Sequence, residues 1–373
     1  MSIVIKKYKN WRIAAMNSIV LSDLENIYNS ISDNKHKFED SNIFITGCAG
    51  FLGYYITSFF DKYKNDLGIN SVIAVDNFQV GKPYWIDDIL KNGNITIGEF
   101  DIIKGNLQEI KLDKNNSFVI HMASIASPVF YRKYPIETIE ANIWGLKRLL
   151  EEYKNESLKG FLFFSSSEIY GDPSPENIPT PETYRGNVAT IGPRACYDES
   201  KRFGETICYE YSKVCKIPIS LVRPFNNYGP GMKLDDKRVP ADFAKAIANN
   251  DDIVILSDGR PTRTYCYVAD AVSGYLKALL HGEFDVFNIG IDKPEIEVLR
   301  LAEIYQEAGK EIFGYQGKIR YMASNEKAYL TDNPNRRCPI IDKAVSKLQY
   351  DPRIYVDEGV RRFLQYIKEE AIK

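Results

Sequence analysis

Asn42-Ile-Phe-Ile-Thr-Gly-Cys-Ala-Gly-Phe-Leu-Gly53 is the stretch whose reading decides the fold. The short apolar run Ile43 to Ile45 reads as a buried parallel strand bounded by turn residues. Gly47, Gly50 and Gly53 follow at three-residue spacing, and a helical pattern from Phe51 to Tyr63 begins at once. A tight strand-to-helix turn, close approach of a pyrophosphate and close helix–sheet packing each exclude a Cβ, which accounts for the glycines. The helix N-terminus then offers free N–H groups to phosphates. A second run, Ser71-Val-Ile-Ala-Val-Asp76, ends in an acid placed to hold a ribose diol. Three glycines alone are a weak signal. Strand, glycines, helix, strand and terminal Asp76 together predict dinucleotide binding, and the charge of Asp76 would repel a 2′-phosphate, favouring NAD over NADP.

Outward from that stretch, composition narrows the class. The chain has 373 residues, enough for a large core in one domain or in a domain with a smaller lobe. With 48 basic and 50 acidic residues, no global field draws it to nucleic acid or membrane. Its 25 Tyr and 19 Phe suit a folded enzyme. Six cysteines without a Cys-x-x-Cys pair, and only three histidines, argue against zinc and against a disulfide framework, so no metal is expected and a reducing cytoplasm is the plain reading. His121, at the end of an apolar strand, reads as a structural histidine. The apolar run Ile13 to Leu21 is interrupted by Asn17 and Ser18, too short to span a membrane and unlike a signal peptide.

Residues 1–40 form an N-terminal extension in which Leu24, Ile27, Tyr28 and Ile31 share one helical face behind a Ser22 or Asp23 cap. From residue 41 strands and helices alternate, predicting a doubly wound parallel α/β sheet. Strands are expected at 42–46, 71–76, 95–100, 117–121, 160–165 and 219–223, with helices near 50–63, 84–91, 135–154 and 197–214. The nucleotide-binding domain is bounded at 41–225. Residues 226–373 read mainly as a smaller mixed α/β substrate lobe interleaved with the sheet, with helices near 239–249, 268–281, 295–313 and 357–370 and short strands at 253–256 and 318–321.

The chemistry-bearing stretch is Gly192-Pro-Arg-Ala-Cys-Tyr-Asp-Glu-Ser-Lys201. Tyr197 and Lys201 are four apart and share a helix face. An ammonium beside a phenol favours the phenolate, lowering its pKa towards neutrality, so that it can take a hydroxyl proton while hydride leaves for a nicotinamide. Tyr-x-x-x-Lys alone is common on surfaces; downstream of the glycine loop it reads as catalytic. Phe164-Ser-Ser-Ser-Glu-Ile-Tyr-Gly171 falls at the carboxyl end of a strand, the edge where parallel sheets bind ligands. Serine hydroxyls there could hold a sugar hydroxyl, and Glu168 could act as an acid or base.

With these motifs the chain resembles the extended short-chain dehydrogenases/reductases that modify nucleotide sugars, the NAD-dependent epimerase/dehydratase family, and within them the UDP-glucuronate decarboxylases. The resemblance spans about residues 41 to 370. It rests also on 121–128, 166–172, 191–202, Arg223-Pro-Phe-Asn-Asn-Tyr-Gly-Pro230, Thr262-Arg-Thr-Tyr-Cys-Tyr-Val268 and Asp332-Asn-Pro-Asn-Arg-Arg-Cys-Pro339. It implies a Rossmann fold and bound NAD. Tyr197 would be the base and Lys201 its partner and ribose clamp, both also binding the cofactor, with Ser166, Ser167, Glu168, Asn226 and Arg263 around the hexose. Ser127 and Tyr131 would lie near the sugar, and Arg238 and Arg337 at the diphosphate. The cofactor would be held by Gly47, Gly50, Phe51, Leu52, Gly53, Asp76 and Asn77, by Met122, Ala123 and Ser124, and by an adenine pocket at Asp101 and Ile102. Gly231 departs from the arginine usual in Gly-Pro-Arg-Met, Arg260-Pro261 and Leu256 also differ, and residues 1–40 have no counterpart.

All candidate reactions begin with oxidation at C4. A 4,6-dehydratase of this family places Asp-Glu where Ser167-Glu168 stand, and 4-epimerases generally lack the glutamate. Ser-Glu with Arg263 suits a uronic acid, whose 4-keto group lies β to the C6 carboxylate and eases loss of carbon dioxide. Dehydration or epimerisation of another nucleotide sugar is the alternative, and a non-catalytic NAD-sensing protein the reading from a different class. The resemblance also implies a homodimer joined through a four-helix bundle of helices 135–154 and 197–214, with Ile139, Ile143, Leu146, Leu149, Leu150, Ile207 and Tyr211 as the apolar surplus.

Overall fold

The computed structural model describes residues 16–111, 113–323 and 334–371. Residues 1–15 of the expected extension, and Asp332 and Asn333 of the resembling motif, lie outside them. Seven parallel strands form one sheet: β1 (Asn42–Thr46), β2 (Ser71–Asp76), β3 (Thr96–Glu99), β4 (Ser117–His121), β5 (Leu158–Phe164), β6 (Ile219–Pro224) and a last strand, Asp285–Ile289. Their order is β3-β2-β1-β4-β5-β6 with Asp285–Ile289 outermost. β1 and β4 are buried at every position, as apolar strands covered by helices on both faces must be. Thr46 lies opposite Val75 on one side and His121 on the other. The chain therefore reverses direction across the sheet between β1 and β4, and the crevice at their carboxyl ends is where such sheets bind ligands.

The strand Asp285–Ile289 escaped sequence reasoning. It pairs with β6 from Asp285 opposite Ser220 to Ile289 opposite Pro224, so the sheet is completed by the C-terminal half of the chain. The preceding helix, Val268–Leu279, packs between β5, β6 and the helices α1 (Ser18–Ser30) and α2 (Phe51–Tyr63).

In α1 the expected apolar face holds: Val20, Leu24, Ile27 and Ile31 are buried, each contributing roughly 1.5–3 kcal/mol by leaving water. Tyr28 is half-buried and stacks on Tyr63. The expected cap does not hold. Asn17 is the N-cap, its side chain accepting from the Ile19 N–H. Asp23 instead lies fully buried, accepting hydrogen bonds from Tyr55 and Tyr267 hydroxyls at 2.7 Å and pairing with Arg362 at 3.0 Å. Burial outweighs these partners and pushes its carboxyl up to about 6. The extension is thus sealed onto α2 and the C-terminal helix Val356–Glu370.

A small three-stranded sheet, invisible to periodicity because each strand has two residues, joins Ile296–Glu297, Thr262–Arg263 and Arg336–Arg337. Its parallel pair sets Arg337 directly beside Arg263. Helix Val239–Asn249, a parallel strand pair (Ile253–Ile255 with Ile319–Tyr321) and helix Val298–Phe313 complete this side.

Candidate active site

The carboxyl ends of β1, β4, β5 and β6 open into one cleft of about 460 Å³. Gly47 has φ +78°, and a Cβ there would stand 2.6 Å from the Ala123 backbone nitrogen, so the loop lies tight against the exit of β4. Gly50, which opens α2, differs: the nearest atom to a Cβ would be the Gly47 carbonyl at 3.5 Å. Packing within the protein leaves that side open to the cleft, as close approach of a phosphate requires. At the end of β2, Asp76 accepts from the Ala49 N–H at 3.0 Å and the Phe78 N–H at 2.8 Å, tying the acid to the glycine loop. The loop, the open helix N-terminus and this carboxylate fit a dinucleotide.

Gly47, Gly50, Phe51, Leu52, Gly53, Met122 and Ser124 line the cleft, as do Ser127, Tyr131, Ser166, Ser167, Glu168, Tyr197, Lys201, Asn226, Arg238, Arg263 and Arg337. Asp76, Asn77, Asp101, Ile102 and Ala123 stand outside its wall. Asp101 accepts from the Ile103 and Lys104 N–H groups, closing its own turn, and Ile102 is buried against Gly145.

Helix Ala195–Cys215 carries Tyr197 and Lys201 on one face, both buried. The expected lowering of the phenol pKa is not what the protein provides. Burial dominates, the neighbouring Ser166 hydroxyl lowers it and Glu168 raises it, and the outcome is a phenol pushed up to about 12. Burial also pulls Lys201 down to about 7. Its ammonium donates to the Phe164 carbonyl at 2.6 Å and lies 5.9 Å from the centre of the Tyr197 ring. Tyr131 stacks on Tyr197 with ring centres 5.3 Å apart.

Glu168 lies in the one-turn helix Ser167–Tyr170, its N–H donating to the hydroxyl of the capping Ser166 at 3.2 Å. Its carboxylate is gripped by both nitrogens of Arg337 at 2.6 Å and by Arg194. Burial works against its charge, but the two guanidiniums more than offset that and hold the carboxyl down at about 2. Two expectations change accordingly. Glu168 is a fixed carboxylate, not a ready proton donor, and Arg337 is spent on it instead of standing free for a diphosphate. Arg263 gives its donors to the Thr262 and Asn335 carbonyls at 2.7 and 2.9 Å and to the Pro334 carbonyl. Burial, then the adjacent Arg337, lower it to about 10.

Other expected contacts are partly engaged. Ser127 donates to the Asp236 carbonyl at 3.1 Å, Asn226 to the Thr264 carbonyl at 2.8 Å, and Arg238 is paired with Asp236 across from the Phe51 ring. Gly231 has φ +85° and faces Tyr54 at 2.5 Å from an added Cβ, so the arginine of the resembling decarboxylases has neither the backbone nor the space there. His121 is buried at the end of β4: its Nδ1 shares a hydrogen bond with the Thr46 hydroxyl at 2.7 Å, its Nε2 has no partner among the described residues, and burial lowers it to about 3.

Sequence reasoning gave no role to Arg194 or Asp198. Arg194, at the cap of the Tyr197 helix, reaches Glu168 with one nitrogen and faces Asp198 at 3.5 Å with another. Both flank Tyr197 in sequence, which was the available signal.

The NAD dependent epimerase/dehydratase family model matches residues 43–290. UDP-glucuronic acid decarboxylase 1 of Arabidopsis thaliana is 34% identical over 332 residues, covering 88% of this chain and 70% of that one. UDP-glucuronic acid decarboxylase 5 of the same plant is 34% identical, covering 87% and 89%. Among solved structures, UDP-glucose 4-epimerase of Thermotoga maritima, crystallised with UDP-glucose, superposes with a TM-score of 0.75 at 28% identity, over 88% of this chain and 99% of that one. UDP-glucuronic acid 4-epimerase of Bacillus cereus, with UDP-glucuronic acid and NAD, gives 0.68 at 25% identity over 88% and 99%.

Proposed function

The chain belongs to the NAD dependent epimerase/dehydratase family, and on that premise we propose that it converts UDP-glucuronate to UDP-xylose and carbon dioxide. The observation that carries this is the convergence of Arg194, Arg263 and Arg337 on the cleft beside Tyr197 and Lys201. Three guanidiniums and one carboxylate, Glu168, line the cleft there, an excess of positive charge whose field suits a sugar that brings its own carboxylate. Decarboxylase relatives over most of the chain support the same reading.

NAD, held by the Gly47–Gly53 loop and Asp76, would supply the acceptor for the C4 hydride and the means of its return. The protein does the rest. Tyr197 is placed to accept the C4 hydroxyl proton; because burial raises its phenol, that step needs the Lys201 ammonium, held by the Phe164 carbonyl, as the neighbouring positive charge that favours the phenolate. Ser166 and Ser167 hold the sugar at the end of β5. Once C4 is a ketone, the C5–C6 bond breaks, its electron pair passes into the carbonyl as an enolate, and carbon dioxide leaves. The guanidiniums stabilise that enolate. C5 then takes up a proton, so the net reaction consumes one.

Incubation with UDP-glucuronate and mass spectrometry of the products tests this. UDP-xylose should form without net NAD consumption, and Tyr197→Phe should abolish it. A second reading, 4-epimerisation of the same uronate, is favoured by the Bacillus cereus likeness; it would yield UDP-galacturonate with no gas. Loss of water from a neutral hexose nucleotide, with UDP-glucuronate inert, would instead mark a dehydratase.

The dimer belongs to the same proposal, with different residues. Leu146, Leu149 and Leu150 are buried under the sheet. The exposed large apolar residues on these helices are Ile136 at 61%, Trp144 at 53% and Phe203 at 51%, with Tyr209 and Val214 towards the end of the second helix. Six free thiols support a reducing, cytoplasmic setting; no described helix is long and apolar enough to cross a membrane.

A further inference from the structure

We propose that Asp198 is the proton store of this site, taking up on binding of a uronate the proton that its decarboxylation later consumes. The inference rests on the decarboxylase reading and deepens it. Four charged groups form one connected cluster: Arg337 and Arg194 on Glu168, and Arg194 facing Asp198. Three of the joints are close, two at 2.6 Å between Arg337 and Glu168 and one between Arg194 and Glu168. The fourth is loose. Asp198 Oδ2 and Arg194 Nε stand 3.5 Å apart without a hydrogen bond, and Asp198 Oδ1 and Arg194 Nε have no hydrogen-bond partner among the described residues although both atoms are buried.

Asp198 is therefore the weakest-held anion of the cluster. The groups that face it are Glu168, on the turn after β5; Arg337, on the small sheet; Arg194, on its own helix cap; and Tyr131, Tyr197 and Cys196 around them. Burial first, then repulsion from Glu168, push its carboxyl up to about 7, while Arg194 and Arg337 pull the other way. A uronate carboxylate entering the cleft adds a negative charge and draws on the same guanidiniums. An added neighbouring anion raises the pKa of an acid, and the acid with the least support gives way first. Asp198 takes a proton from solvent. When the C5–C6 bond breaks and carbon dioxide leaves, the enolate carbon takes one proton and the cluster returns to its starting charge. Asp198 does not line the cleft; it acts on the cleft through Arg194 and Glu168, which do.

The sign sets the window. Below about pH 6 Asp198 already holds its proton and uptake vanishes; uptake is largest between about pH 7 and the higher value reached in the complex. Isothermal titration of the NAD-loaded Tyr197→Phe protein, in which turnover is blocked, should be run in two buffers of different ionisation enthalpy at about pH 7.5. UDP-glucuronate should take up at least about half a proton more than UDP-glucose, whose diphosphate is the same. Asp198→Asn should remove that excess, and Glu199→Gln, at a half-buried neighbouring acid that faces Arg202, should keep it. Lys201 also titrates near 7, so Lys201→Met is the second variant, and there the excess should persist. Equal proton counts for the two nucleotides, an excess that survives Asp198→Asn, or one that disappears in Lys201→Met would overturn the proposal. Conversion of UDP-glucuronate by wild-type enzyme is measured separately: xylose nucleotide without excess uptake sinks the proton store alone, whereas no carbon dioxide sinks the decarboxylase reading.

Discussion

Glu168→Gln would leave Arg194 and Arg337 facing an amide that can serve at most one of them well. Removing one partner of a buried ion pair typically costs about 3–5 kcal/mol, and here its partial exposure lowers that figure. The larger effect should be on rate. With the anion gone the guanidiniums are free to bind substrate too tightly in the ground state, and the enolate loses an ordered donor set. We expect kcat for carbon dioxide release to fall about a hundredfold or more, while reduced nicotinamide still forms in a single turnover, since Tyr197 and Lys201 are intact. Rapid-quench product analysis beside nicotinamide absorbance checks both; a mutant that fails equally at oxidation would show that Glu168 serves the first step. Tyr197, Lys201 and Glu168 could be found in the sequence because each belongs to a short motif on one element. The partners of Glu168 could not. Arg337 lies 169 positions away and arrives through the register of a two-residue strand, and burial, which decides the charge states of Tyr197 and Lys201, is not written in spacing.

At the scale of elements, α1 shows how a polar residue can be misread. An acid near a helix start reads as a cap, yet Asp23 accepts two tyrosine hydroxyls and one guanidinium from three other elements. Asp23→Ala strands the Tyr55 and Tyr267 hydroxyls in the core and leaves Arg362 to Glu358 alone, and we expect a loss of about 3–5 kcal/mol, seen as a lower melting temperature at pH 7. The raised carboxyl of Asp23 means the folded state binds a proton more tightly than the unfolded chain does. Stability from this group is fully present below the unfolded value of 3.8 and declines as pH rises through about 6. The mutant's deficit should therefore be larger at pH 4.5 than at pH 8, a comparison that denaturant unfolding at the two pH values makes directly. The strands β1, β2 and β4 were legible to the residue because apolar runs between turn signals have no other reading at that length. Asp285–Ile289 was not: five half-polar residues at a sheet edge carry only a weak alternation, and their strand is made by the partner β6.

For the whole molecule, the remaining question is what covers the exposed apolar residues of two adjoining helical elements. Helix Pro135–Tyr153, which runs through a wide turn at Ala141–Gly145, packs side by side with Ala195–Cys215. Their inner residues, among them Leu146, Leu149, Leu150 and Cys208, enter the core under the sheet. Their outer residues Ile136, Trp144 and Phe203 are more than half exposed, and side chains of that size left in water are what a two-fold interface buries. Burying a large apolar side chain is worth roughly 1.5–3 kcal/mol, and a two-fold axis doubles every contact. Trp144→Glu places a charge on this face and, by symmetry, a second like charge near it. We expect the wild-type protein to scatter light with twice the chain mass at micromolar concentration, and Trp144→Glu or Phe203→Glu to give the single-chain mass with an unchanged circular dichroism spectrum. A wild-type protein that is already monomeric, or a mutant that stays dimeric, would move the interface elsewhere. Tyr197 and Lys201 stand on one of these helices, so the monomeric variants should also lose activity in proportion to how far that helix relies on its partner for position.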